Sequence, residues 1–187
     1  TSILLQMNMI LIMKKIFLTL GLLIAVFING NAQHNHSQHT TANSQAKTAV
    51  KPNLAAEQVL ALYSHYIGIK DALVAGSQQL AATHANSLSQ TASTISYRDL
   101  SEGNINALRK DASAIADAKD LSVQRKAFSN LSNNISALAE KFKLSDKPLY
   151  QQYCPMAKGY WLSNEKEIRN PYYGSSMLTC GTIKKIF

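Results

Sequence analysis

The run LSVQRKAFSNLSNNISALAEKF, residues 121–142, carries the clearest hydrophobic periodicity in the chain. Leu121, Phe128, Leu131, Ile135, Leu138 and Phe142 recur at steps built from threes and fours, so they line one face of a helix. Such a stripe needs partners, and the sequence upstream supplies them. Val59, Leu62, Tyr66, Ile69 and Leu73 alternate strictly by three and four and predict a first helix, opening after Pro52 with Asn53 as its N-cap. Gly76-Ser77 interrupts it. Leu80, His84 and Leu88 resume the helical spacing and fade through SLSQTASTIS, residues 87–96. DLSE, Asp99–Glu102, has the spacing of a capping box, and Ile105, Leu108, Ala112 and Ile115 step behind it. The interruption at AKDLS, residues 118–122, is short, and short connections favour antiparallel neighbours. The expected fold is all-α: an up-and-down bundle of about four helices, single domain, spanning residues 53–187 with its tail.

Before this bundle the chain reads differently. MKKIFLTLGLLIAVFINGNAQ, residues 13–33, orders two lysines, a short apolar run and small residues as a secretory signal peptide does. The apolar part, Ile16 to Ile28, is too short to span a bilayer comfortably. Residues 1–32 are therefore expected to be removed after Ala32, with Met13 as the better start. The protein is expected to be periplasmic or secreted, with no stable membrane anchor after cleavage. The 187 residues less these 32 leave 155, enough for one domain with a real core. The formal charge falls by Lys14 and Lys15, from +8 to about +6. The basic residues are scattered without interleaved aromatics, which argues against nucleic acid as a partner. Residues 33–52, QHNHSQHTTANSQAKTAVKP, are too polar to bury a core and are expected to form a flexible leader. Its His34, His36 and His39 read either as an accessory chelator of Cu(II), Zn(II) or Ni(II), or as polar solubilising residues.

From Ser145 onward the helical period disappears, and tyrosines, the one tryptophan, glycines and prolines crowd in. An irregular tail, residues 145–187, is expected, with a turn at NPYYG (170–174) and a short strand within MLTCGTIKKI (177–186). Both cysteines lie here, each beside a methionine: Cys154 with Met156, and Cys180 with Met177. Thiolates and thioethers suit Cu(I), so these four residues are candidate copper ligands brought together by the turn. An exported compartment equally permits a Cys154–Cys180 disulfide, with the two methionines as core filler. His84 on the second stripe and His65 at the edge of the first read as packing residues. No nucleophile–base arrangement, phosphate loop or paired-carboxylate site points to an enzyme.

The motifs CPM (154–156), WLS (161–163), Ile168 with NPY (170–172) and Gly174, and MLTCG (177–181) resemble a family of bacterial exported domains of unknown function. YIGIKDALVAGS, residues 66–77, is similar to the first-helix region of that family. The family occurs alone after a signal peptide and also at the C-terminus of copper/silver efflux membrane-fusion adaptors. The resemblance implies copper or other heavy-metal handling in the periplasm, with an efflux adaptor or another periplasmic protein as partner.

Two functions follow. One is a periplasmic metal-binding protein that holds copper at Cys154, Met156, Met177 and Cys180. The other is a disulfide-stapled helical module that binds no metal and docks on a partner through Tyr150, Tyr153, Tyr160, Trp161, Tyr172 and Tyr173.

Overall fold

Helix α1, Leu54–Ala75, buries Val59, Leu62, Tyr66, Ile69 and Leu73, the five residues whose spacing predicts it. The computed structural model describes residues 54–187. The expected signal peptide, the expected leader with His34, His36 and His39, and the expected Asn53 cap lie outside the described residues. Helices α2 (Gln78–Thr94), α3 (Glu102–Ala116) and α4 (Leu121–Ala139) follow. Each packs on the one before it, and α4 also reaches α1, as an up-and-down bundle requires.

The turns are built from local chemistry. Gly76 at φ +75° closes α1: its N–H donates to Leu73 O at 3.3 Å, and Ser77 N–H donates to Ala72 O at 2.8 Å. Those two bonds form a Schellman motif, which satisfies carbonyls left open at the helix end. Ser77 then caps α2 by accepting from Leu80 N–H. Asp120 caps α4 in the same way, accepting from Val123 N–H at 2.9 Å. Buried Gln124 holds three helix ends together, donating from Nε2 to Gln78 O at 3.0 Å and Ile115 O at 3.1 Å.

Three expectations need correction. Asp99 does not cap α3; it lies in the turn at residues 97–99, and Ser101 holds the N-cap position without a side-chain bond. Leu80 is 53% exposed and His84 only half-buried, because α2 turns the face Ala81, Ala85, Leu88 and Ala92 inward. Alanines let the helices approach closely, and that shallow face displaces the longer side chains to its edge. Finally, α4 ends at Ala139, so Phe142 packs on the core from the connection beyond it.

The tail carries more β structure than the single strand expected. Strands β1 (Tyr150–Cys154), β2 (Gly159–Ser163) and β3 (Thr182–Ile186) form an antiparallel sheet in the order β2-β1-β3. Register runs from Tyr150 opposite Ser163 to Cys154 opposite Gly159, and a bulge between Gln151 and Gln152 interrupts pairing with β3. NPYYG makes the expected turn and leads into a 3-10 turn, Gly174–Met177, ahead of β3.

An aromatic column joins bundle to sheet. Ring centroids of Tyr63 and Tyr66 lie 5.9 Å apart, Tyr66 and Phe128 5.4 Å, Phe128 and Tyr172 5.7 Å, and Tyr172 and Trp161 6.0 Å. All five are buried. The Tyr66 hydroxyl accepts Leu162 N–H from β2 at 2.9 Å and shares a 2.6 Å hydrogen bond with Ser132 Oγ of α4.

Tyr66→Phe should therefore destabilise the protein by about 2–4 kcal/mol, since it strands a buried N–H and a buried hydroxyl. Tyr97→Phe, at a residue 67% exposed, should stay within about 0.5 kcal/mol. Urea denaturation of the two variants checks both. A second prediction concerns His65 of α1, whose ring lies 6.4 Å from that of His84 on α2. Burial, and then the His84 charge, lower the His65 pKa. The unfolded chain therefore binds more protons than the folded one through the histidine range. Stability should be fully present above the ordinary histidine pKa and decline as pH falls below it. His65→Gln should flatten that decline, as read by Tm against pH.

Candidate functional site

Cys154 is the last residue of β1, and Cys180 stands two residues before β3. Pairing of Tyr153 with Thr182 runs the two cysteine segments side by side. Their sulfurs lie 3.3 Å apart, both as free thiols. Cys154 is completely buried and Cys180 partly exposed. The two cysteines singled out in the sequence thus share one spot.

The backbone around them is shaped toward sulfur. The β1–β2 connection, Pro155–Lys158, turns directly after Cys154, and the backbone N–H groups of Ala157 and Met156 lower the pKa of its thiol. Lys158 closes this turn at φ +50°, a conformation that costs a lysine free energy. Across the site, fully buried Asn170 donates from Nδ2 to Cys180 O at 3.0 Å and accepts Tyr172 N–H on Oδ1 at 2.9 Å. Its amide also lowers the pKa of the Cys154 thiol. Gln152, buried on β1, donates to Glu165 O at 2.9 Å and Glu167 O at 3.2 Å, which holds the segment leading to Asn170.

These donors make the two thiols unequal. Burial pushes the Cys154 thiol up, but the N–H of Ala157, the Cys180 thiol, the Asn170 amide and the N–H of Met156 outweigh it, and its pKa falls. Cys180 moves the other way. Its thiol donates to Cys154, it is partly desolvated, and a Cys154 thiolate repels a second negative charge, so its pKa rises.

Met177 O accepts Cys180 N–H at 3.1 Å. The Met156 side chain is 63% exposed and that of Met177 half-buried. Among the described residues, no three or more His, Cys, Asp or Glu side chains converge as a metal site. Asn170 and Gln152 were not legible as site residues. Asn-Pro is a turn signal, but where the asparagine amide points is decided by the sheet.

Residues 62–147 match the family model described as Protein of unknown function (DUF3347). A DUF3347 domain of unknown function occupies that segment. It runs from within α1 to the connection before β1, so the DUF3347 match takes in the helices and stops short of both cysteines. No curated protein and no solved structure matches the chain. No helix among the described residues is long and apolar enough to cross a membrane.

Titration of the reduced protein should show two separated thiolate steps, one below the ordinary cysteine range and one above it. Far-ultraviolet thiolate absorbance, taken as a difference from the Cys154→Ala variant, follows the first step. Asn170→Ala should raise that step by removing a donor to the thiolate. A single step at the ordinary cysteine value would contradict the unequal pair.

Proposed function

We propose that the protein is a periplasmic carrier or buffer for copper, held as Cu(I) by Cys154 and Cys180. The observation that carries this reading is the 3.3 Å approach of two free thiols, one of them completely buried. Soft thiolates suit a soft ion, and N–H donors lower the cost of burying the charge that binds it. Thiolate–metal bonds of about 2.3 Å at a tetrahedral angle separate two sulfurs by about 3.8 Å. The pair would need to open by only about half an ångström to reach that separation.

The copper ion is cargo in this reading. It would be taken up by displacement of the proton shared between the thiols and released by ligand exchange to an efflux adaptor or another periplasmic protein. The resemblance to domains fused to copper/silver efflux adaptors supports that partner. Met156 and Met177 are close in sequence to the thiols and would supply thioethers to a third position. His34, His36 and His39 would act as an accessory chelator. The disulfide-stapled docking module fits less well, because two of its proposed anchors, Trp161 and Tyr172, are buried in the core.

The reduced protein should bind one Cu(I) per chain at least about a hundredfold more tightly than the Cys154→Ser, Cys180→Ser double variant. Competition against a chromophoric Cu(I) chelator measures this. Met156→Leu and Met177→Leu should each cost about tenfold or less. Equal affinity in wild type and double variant would end the copper reading and leave the staple.

A further inference from the structure

A second feature lies on the far side of the Pro155–Lys158 turn. A cleft of about 530 Å³ opens between α4 and the tail, lined by Ser122, Arg125, Lys126, Ser129, Met156, Ala157, Tyr172 and Tyr173. That volume falls within the range of small-molecule sites. Two tyrosines and a methionine supply apolar wall, and two serines supply hydroxyls. Among the described residues, the only charged side chains lining it are cations.

Arg125 is the unusual member. Its Nη2 donates to Leu73 O, in the last turn of α1, at 3.0 Å, which holds the guanidinium in place. It passes over Gly174, where a β-carbon would sit about 2.5 Å from that same Nη2; glycine at φ +55° leaves the room. The Nε–H of Arg125 is buried without a partner among the described residues. Among those residues neither Arg125 nor Lys126 forms an ion pair. The nearby Asp120 feels the charge of Lys126, but its carboxylate accepts Val123 N–H as the α4 cap. A partly desolvated guanidinium with an orphan donor and no counter-ion favours an anion brought from outside.

We propose that this cleft binds a small organic carboxylate carrying an apolar or aromatic body. The carboxylate would meet Arg125 and Lys126, with Ser122 and Ser129 as further donors, and the body would lie against Tyr172, Tyr173 and Met156. A carboxylate group suits a fork of N–H donors, and the apolar wall selects against a bare inorganic anion. The proposal does not depend on copper binding, because none of its four polar groups is a proposed copper ligand; Met156 is the one side chain that the two readings share.

Isothermal titration with 2-naphthoate, and with its uncharged analogue 2-naphthamide, tests the site. The expected result is a Kd of about a millimolar or tighter for 2-naphthoate, with 2-naphthamide at least about tenfold weaker. Lys126→Gln, at an exposed position, should weaken 2-naphthoate about fivefold. Ser122→Trp, on the exposed first turn of α4, should abolish binding by filling the cleft. Both variants should keep the wild-type Tm. The Cys154→Ser, Cys180→Ser protein should bind 2-naphthoate as wild type does, which separates this site from the copper reading. Equal binding of the two probes, no binding of 2-naphthoate, or wild-type affinity in Ser122→Trp would each overturn the proposal. Displacement of 2-naphthoate by equimolar inorganic phosphate would overturn the requirement for an organic body.

Discussion

The hydroxyl of Tyr66 is the point at which the two halves of the fold are tied. A phenol buried to this extent must find partners, and its two come from different elements: Leu162 N–H of β2 and Ser132 Oγ of α4. A strand backbone amide is thereby anchored on a helix side chain in the middle of the core. Above and below the hydroxyl, the stacked rings of Tyr63, Phe128, Tyr172 and Trp161 add area and fix orientation. A short sheet of three strands would be marginal alone. Docked on this column it becomes rigid enough to position chemistry.

That rigidity matters at the cysteines. β1 delivers Cys154, the approach to β3 delivers Cys180, and the N–H groups of the Pro155–Lys158 turn lower the pKa of the buried thiol. Two chemically identical thiols consequently differ in acidity for reasons of backbone geometry. One is surrounded by donors, and the other is itself a donor. The same turn forms a wall of the cationic cleft through Met156 and Ala157, so two surfaces of one short loop face two different kinds of chemistry.

Much of the helical fold was legible because its cause is local. The five-residue stripe of α1 and the Phe128, Leu131, Ile135 and Leu138 stripe of α4 are buried where their period places them. The errors also have local explanations. Asp99 and Glu102 have capping-box spacing, yet Ser101 sits nearer the start of the regular hydrogen bonding and takes the N-cap. In α2 the inward face is mostly alanine, which a reading weighted toward large apolar residues places one position away. The tail was the least legible part. Its strands are five residues long, and the central one buries Gln152, which no alternation of apolar and polar residues would announce.

The sequence by itself determined that helices form, where most of them turn, and that cysteines, methionines and aromatics concentrate after residue 145. It could do so because helical period, glycine and proline act over a few residues. Only the tertiary structure decided that Cys154 and Cys180 touch, that buried Asn170 holds the Cys180 carbonyl, and that Arg125 lies partly buried without a counter-ion among the described residues. The contacts of Asn170 and Arg125 join residues 10 and 52 positions apart in the chain. Such contacts depend on how the sheet seats against the bundle, and that is set by burial and hydrogen-bond satisfaction across the whole core rather than by any local pattern.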